Sequence, residues 1–198
     1  MYLYLLDLDS ADKHNENFAL KIRGDDLIIK NEKQFNMFPS HVGLRKYVQY
    51  YNIVFPSKDT FTAHYTLMPN ACGTLSLAFD GTVVIAELWG ASLTPVFLGM
   101  EPNSYHVLML IQFSPYGLYQ ITRQSQAEFA DKRLALEDID NELFHLLYQA
   151  FLMSKTATDL ANICEKILYR RMEKHVISDA LLFCLLYTSD AADDLLCV

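Results

Sequence analysis

The chain is poor in the residues that announce a chemistry. Its four cysteines stand at 72, 164, 184 and 197, and no two have CxxC spacing. That excludes the disulfide framework of a small secreted domain and the paired thiols of a zinc ribbon. Cys72 and Cys164 read as separate thiols, the usage of a reduced, cytoplasmic protein. The six histidines are His14, His41, His64, His106, His145 and His175. None forms HxH or HExxH, so no metal site and no cofactor is expected. GxSxG, GxxxxGK[ST] and GxGxxG do not occur. No nucleophile elbow, P-loop or dinucleotide fingerprint is present, no catalytic residue is assigned, and the chain reads as a non-enzyme. No run of about 18 apolar residues exists, so no membrane partner is expected. The N-terminus MYLYLLDLDSADKH lacks the basic start and small-residue cleavage site of a signal peptide. Basic residues are also scarce, 16 against 24 acidic ones, for a formal charge of -8. Such a surface binds nucleic acid poorly by itself.

What the sequence has is apolar material. Hydrophobic residues make up 52%, aromatics 13% and charged residues only 20% of the chain. That supports a sizeable core and argues against disorder. MYLYLLDLD and DDLIIKN read as short strands, and residues 1–37 are assigned as an N-terminal arm or extra strands. From Phe38 the pattern is strongly β. Tyr47 to Phe55 is aromatic and branched, as strands prefer. Thr60 to Met68 alternates and ends at Pro69-Asn70. Thr74 to Phe79 and Thr82 to Leu88 flank Asp80-Gly81, a two-residue hairpin signal of type I′. Ser104 to Phe113 is nearly all apolar and reads as a central buried strand. Short strands at this spacing predict a closed sandwich or barrel.

At Ser114-Pro115-Tyr116-Gly117 the character changes to helix. Leu143, Leu146, Leu147, Ala150 and Phe151 fall on one helical face, with Asp140 and Glu142 suited to the helix start. Leu160, Ile163, Cys164, Ile167 and Leu168 repeat the spacing. Thr156 with Asp159 forms a start like a capping box. The link Met153-Ser154-Lys155 is short, so an antiparallel helical hairpin is expected. By analogy with the architecture of a barrel followed by such a hairpin, its apolar positions Leu143, Leu147, Phe151, Leu160, Ile163 and Ile167 are assigned to dimerisation. The acidic group Glu137, Asp138, Asp140 and Glu142 reads as solvated charge at a helix N-terminus, and Cys72 as an inert thiol.

Four local patterns occur in order across the middle of the chain. They are Leu44-x-x-Tyr47-Val48-x-x-Tyr51, Met68-Pro69-Asn70-Ala71-Cys72-Gly73-Thr74-Leu75, Leu88-Trp89-Gly90 through Pro95, and Ile111-Gln112-Phe113-Ser114-Pro115-Tyr116-Gly117. Leu136 to Ile139 follows as a lead into the helices. In order and spacing, residues 38–183 resemble the N-terminal, cupin-like domain of AraC-type transcriptional regulators. The resemblance implies an α+β fold, a cupin-like β-barrel or jelly roll at 38–125 followed by the helical hairpin at 126–174. It implies a ligand-sensing and dimerisation domain, with an unknown small-molecule effector and a homodimer as partners. DNA would be reached only through a C-terminal domain, whose first helix 175–183 resembles. A barrel interior would draw on His64, Tyr65, Phe79, Trp89, His106 and Phe113 as candidate ligand contacts; Phe97, Tyr105, Tyr116 and Tyr119 add to the aromatic supply. The bland reading is that these side chains simply fill the barrel. Other functional readings are a metal-free cupin-like enzyme or carbohydrate-binding protein, and an interaction module without a ligand.

Residues 184–198 read CLLYTSDAADDLLCV. Cys184 through Asp193 resembles the one-frame translation of a transposase adapter used in DNA sequencing. On that reading the natural chain breaks near Phe183 and the DNA-binding domain is missing. The alternative is a short helix capped by Ser189.

Overall fold

Strands place successive side chains on opposite faces, and here that alternation divides the molecule into two compartments. The computed structural model describes residues 34–173. Among these residues there are eight strands: β1 (Phe35–Pro39), β2 (Val48–Val54), β3 (Thr66–Leu67), β4 (Thr74–Phe79), β5 (Val84–Trp89), β6 (Val96–Phe97), β7 (Val107–Phe113) and β8 (Arg133–Ala135). The same residues form four α-helices: α1 (Gly117–Thr122), α2 (Leu136–Ile139), α3 (Asn141–Met153) and α4 (Ala157–Glu173). Six strands form one antiparallel sheet in the order β1-β2-β7-β4-β5-β8, and β3 pairs with β6 in a second. The fold is thus mixed α+β. Among the described residues the pairing runs from edge β1 to edge β8 and does not join them into the closed barrel expected.

One face of the large sheet carries Tyr51 and Ile53 of β2, Leu75, Leu77 and Phe79 of β4, Val84, Ala86 and Leu88 of β5, and Met109, Ile111 and Phe113 of β7. All are buried, in one apolar cluster with Leu118, Leu136, Leu143, Leu147, Phe151, Leu160 and Leu168 of the helices. Each Val, Leu, Ile, Phe or Met side chain among them contributes roughly 1.5–3 kcal/mol over its exposed state. The helices therefore form a layer on that face. β4 and β7 are central and buried almost throughout, which is why Val107 to Phe113 reads as a continuous apolar run.

Polar groups complete the helical layer. Asp140 caps α3 by accepting from Leu143 N at 2.9 Å. Thr156 Oγ1 caps α4, accepting from Asp159 N at 3.0 Å. Arg171 of α4 pairs with Asp140 and, at 3.3 Å, with Glu142, and it donates to Ile121 O at 3.3 Å. It so binds α4 to the start of α3 and to the end of α1.

Several expectations shift. The sheet begins at Phe35, inside the segment 1–37 assigned to an arm or extra strands, and runs two residues past it to Pro39, because β1 pairs with β2 along its whole length. The strand expected at Thr60 to Met68 shrinks to Thr66–Leu67. Ser57 N donates to Thr60 Oγ1 at 2.6 Å, and this local turn competes with strand pairing. The β4–β5 turn has positive φ at Gly81 (103°) and not at Thr82. The loop residues are Gly81-Thr82, with glycine at the first central position as a type II′ turn requires, rather than a type I′ turn at Asp80-Gly81. Asp80 Oδ1 closes it, accepting from the amides of Thr82 and Val83 at 2.8 and 2.9 Å. The assignments made for 1–33, for the helix-turn-helix lead at 175–183, and for 184–198 lie outside the described residues.

Candidate functional site

Among the described residues, no helix covers the opposite face of the sheet. It floors a cavity of about 380 Å³. The floor takes the alternate side chains: Asn52 and Val54 from β2, Ser76 and Ala78 from β4, Leu108, Leu110 and Gln112 from β7, and Glu87 and Trp89 from β5. Leu67 and Val96 of the small sheet, Phe61, Tyr65 and Leu98 of the adjoining loops, and the turn at Glu101–Pro102 complete the walls. Mostly apolar walls with a few polar groups are the usual make-up of a small-molecule site, and the volume is in the usual range.

The polar groups converge at β5 and β8. Arg133 Nε donates to Glu87 Oε2 at 2.6 Å, and a second guanidinium nitrogen donates to Glu101 Oε1 at 3.3 Å. The guanidinium carbon lies 4.6 Å from the centroid of the Trp89 ring. Burial works against the Arg133 charge, but the hydrogen bonds and charges of Glu87 and Glu101 outweigh it and hold the group above its ordinary pKa. Tyr105 is pushed up by burial, with Glu101 adding to the effect. Burial raises Tyr65 as well. The indole N–H of Trp89 is buried and has no acceptor in reach among the described residues. A buried donor left unmade is costly to the fold. Across the floor, Thr74 Oγ1 donates to Gln112 Oε1 at 3.0 Å, between directly paired residues of β4 and β7.

The walls are braced from outside the cavity. Asn103 Oδ1 accepts from Phe61 N at 2.9 Å, and its Nδ2 donates to Phe61 O at 2.8 Å and Lys58 O at 2.9 Å. Leu98 and Gly99 both donate to Tyr65 O at 3.0 Å. These bonds hold the Phe61–Tyr65 loop over the sheet. Neither Asn103 nor Arg133 is assigned by sequence pattern. Asn103 lies in a Pro-Asn-Ser stretch that reads only as a turn, and Arg133 lies on a strand of three residues, too short to show a period.

Of the six candidate ligand contacts, Tyr65 and Trp89 line the cavity. Phe79 and Phe113 belong to the helix-side core instead. The reason is parity: Phe79 shares a face with Leu75 and Leu77, and Phe113 with Met109 and Ile111. His64 is exposed on the loop before β3. His106 is exposed just before β7, edge-on to Phe79 with ring centroids 5.9 Å apart. Neither histidine lines the cavity.

The residues assigned to dimerisation are used within the chain. Leu143, Leu147, Phe151, Leu160 and Ile167 are buried in the same cluster as the sheet, and Ile163 is half-buried against it. The apolar stripe that helical spacing reveals is the stripe the chain's own sheet needs. Cys164 is fully buried and Cys72 lies at the cavity lining, and burial raises both thiols. A raised thiol pKa opposes nucleophilic use. Compared with known proteins, the chain matches no family model, no curated protein and no solved structure.

Proposed function

We propose that the chain is the effector-sensing portion of an AraC-type transcription regulator, with the large and small sheets in a cupin-like arrangement. The observation that carries the reading is the walled cavity on one face of the sheet, opposite the helical layer. It separates a place for a ligand from elements able to report its presence. The connection is short: Glu87 and Trp89 of β5 pair with Ala135 and Arg133 of β8, and β8 runs directly into α2 at Leu136. A ligand that prefers one setting of β5 and β8 biases the setting of α2 and α3, and so the presentation of a DNA-binding domain. Dimerisation through the helical layer is part of the proposal. It uses the outer surface of α3 and α4, because the inner stripe is occupied.

Trp89 is the only tryptophan in the chain, and it lines the cavity. Its fluorescence therefore reports occupancy. A true effector gives a saturable change that is lost in Ala78→Phe, which fills the floor, while circular dichroism stays unchanged. Light scattering with and without that effector then follows association. A compound set that leaves Trp89 unperturbed throughout, or a mass that stays monomeric in both states, counts against the reading.

A further inference from the structure

We infer that the cavity selects an organic cation, an aromatic or aliphatic amine, over a neutral or anionic molecule of the same shape. The inference rests on the cavity being an effector site and names the chemical class of the effector. Three charged residues line it, Glu87, Glu101 and Arg133. One guanidinium stands against two carboxylates, so the lining carries a net negative charge. Arg133 is not available to an incoming anion. It is engaged by Glu87 at 2.6 Å and by Glu101 at 3.3 Å, and it lies over the Trp89 ring. A ligand carboxylate would have to break these contacts and sit beside both glutamates.

The aromatic lining points the same way. Tyr50, Phe61, Tyr65 and Tyr105 surround the cavity in addition to Trp89. Ring faces attract cations, and the effect is larger where water is excluded. The stacking of Arg133 on Trp89 shows that this wall already accommodates one organic cation. A second, supplied by the ligand, meets the excess carboxylate charge, whose side chains are 19% (Glu87) and 47% (Glu101) exposed. The charged end of the ligand therefore lies toward the more open side of the cavity, and its apolar body over Ala78 and Leu108.

The test uses the full chain and three probes of one skeleton: 2-phenylethylamine, 2-phenylethanol and phenylacetate. Binding is followed by Trp89 fluorescence and by calorimetry at low salt. The amine should bind about fivefold more tightly than the alcohol, the gain expected of a partly exposed cation over aromatic rings, and phenylacetate should bind most weakly. Glu87→Gln should remove most of the amine's advantage over the alcohol. Glu101→Gln keeps the test open if the first variant folds poorly. Equal affinity of amine and alcohol, or tighter binding of phenylacetate, overturns the cation inference; if that binding is lost in Ala78→Phe, the cavity remains a ligand site. No binding by any probe overturns the inference together with its premise for this ligand size.

Discussion

Replacing Leu147 by alanine tests whether the apolar stripe of α3 belongs to the chain's own core or to a partner. Leu147 is 0% exposed and lies in the cluster that joins the helices to the sheet. Alanine removes the part of the side chain that fills that space. In a close-packed interior the loss includes both the transfer of the removed groups and the cavity left behind, about 3 kcal/mol for a site that collapses partially. For a chain of this size each kcal/mol moves Tm by about 2–4 °C, so a fall of about 6–12 °C is expected. Ile163 is the control. It is only half-buried, and Ile163→Ala should cost about 1 kcal/mol, in proportion to its smaller burial. Circular dichroism melts at two protein concentrations, with light scattering on the same samples, separate the readings. If the stripe is internal, Leu147→Ala lowers Tm by the same amount at both concentrations and leaves the mass unchanged. A Tm within about 2 °C of the parent, with a smaller particle by scattering, would place Leu147 between copies and refute the argument.

Other outcomes follow from single contacts. A Cβ added at Gly117 would lie 1.8 Å from Tyr47 O and 2.8 Å from its carbonyl carbon. Neither backbone atom can swing away, so Gly117→Ala should destabilise by about 3 kcal/mol, read from a denaturant midpoint. Asp80 is held below the usual carboxylate pKa, first by the backbone N–H of Val83 and then by Thr82. A depressed carboxylate stabilises the fold above its unfolded pKa of about 4 and loses that contribution as pH falls through the folded value. Asp80→Ala should therefore lower stability by about 0.5–1 kcal/mol at pH 7, and by less at pH 2, in paired urea titrations.

The strongly periodic elements were legible because their period is a property of single segments. Val48 to Val54, Thr74 to Phe79 and the two long helices all stand where alternation or helical spacing places them. The caps at Asp140 and Thr156 follow from local chemistry. The cavity was legible only in part. Tyr65 and Trp89 were assigned to it, but Phe79 and Phe113 were as well. Apolar alternation marks two faces of a strand and does not say which face the helices take. In β4 and β7 both faces are apolar enough to be buried, so the sequence carries no local sign of the choice.

By itself, then, the sequence determined the apolar segments, their periods and the starts of the two long helices. It did not show β8 (Arg133–Ala135), a sheet strand that follows the change from β to α near Gly117 and lies within the segment expected to be a helical hairpin. Tertiary structure decided how the apolar segments are spent. It turned the helical stripes inward onto one face of the sheet, where the apolar side chains of sheet and helices share one buried cluster. It brought Arg133, more than 30 residues from Glu101 in the chain, onto Trp89 and between two glutamates. Such a juxtaposition has no period and no motif, since it arises from sheet pairing between β5 and β8 and from the turn before β7. The cavity and its charge balance exist only once those distant segments meet.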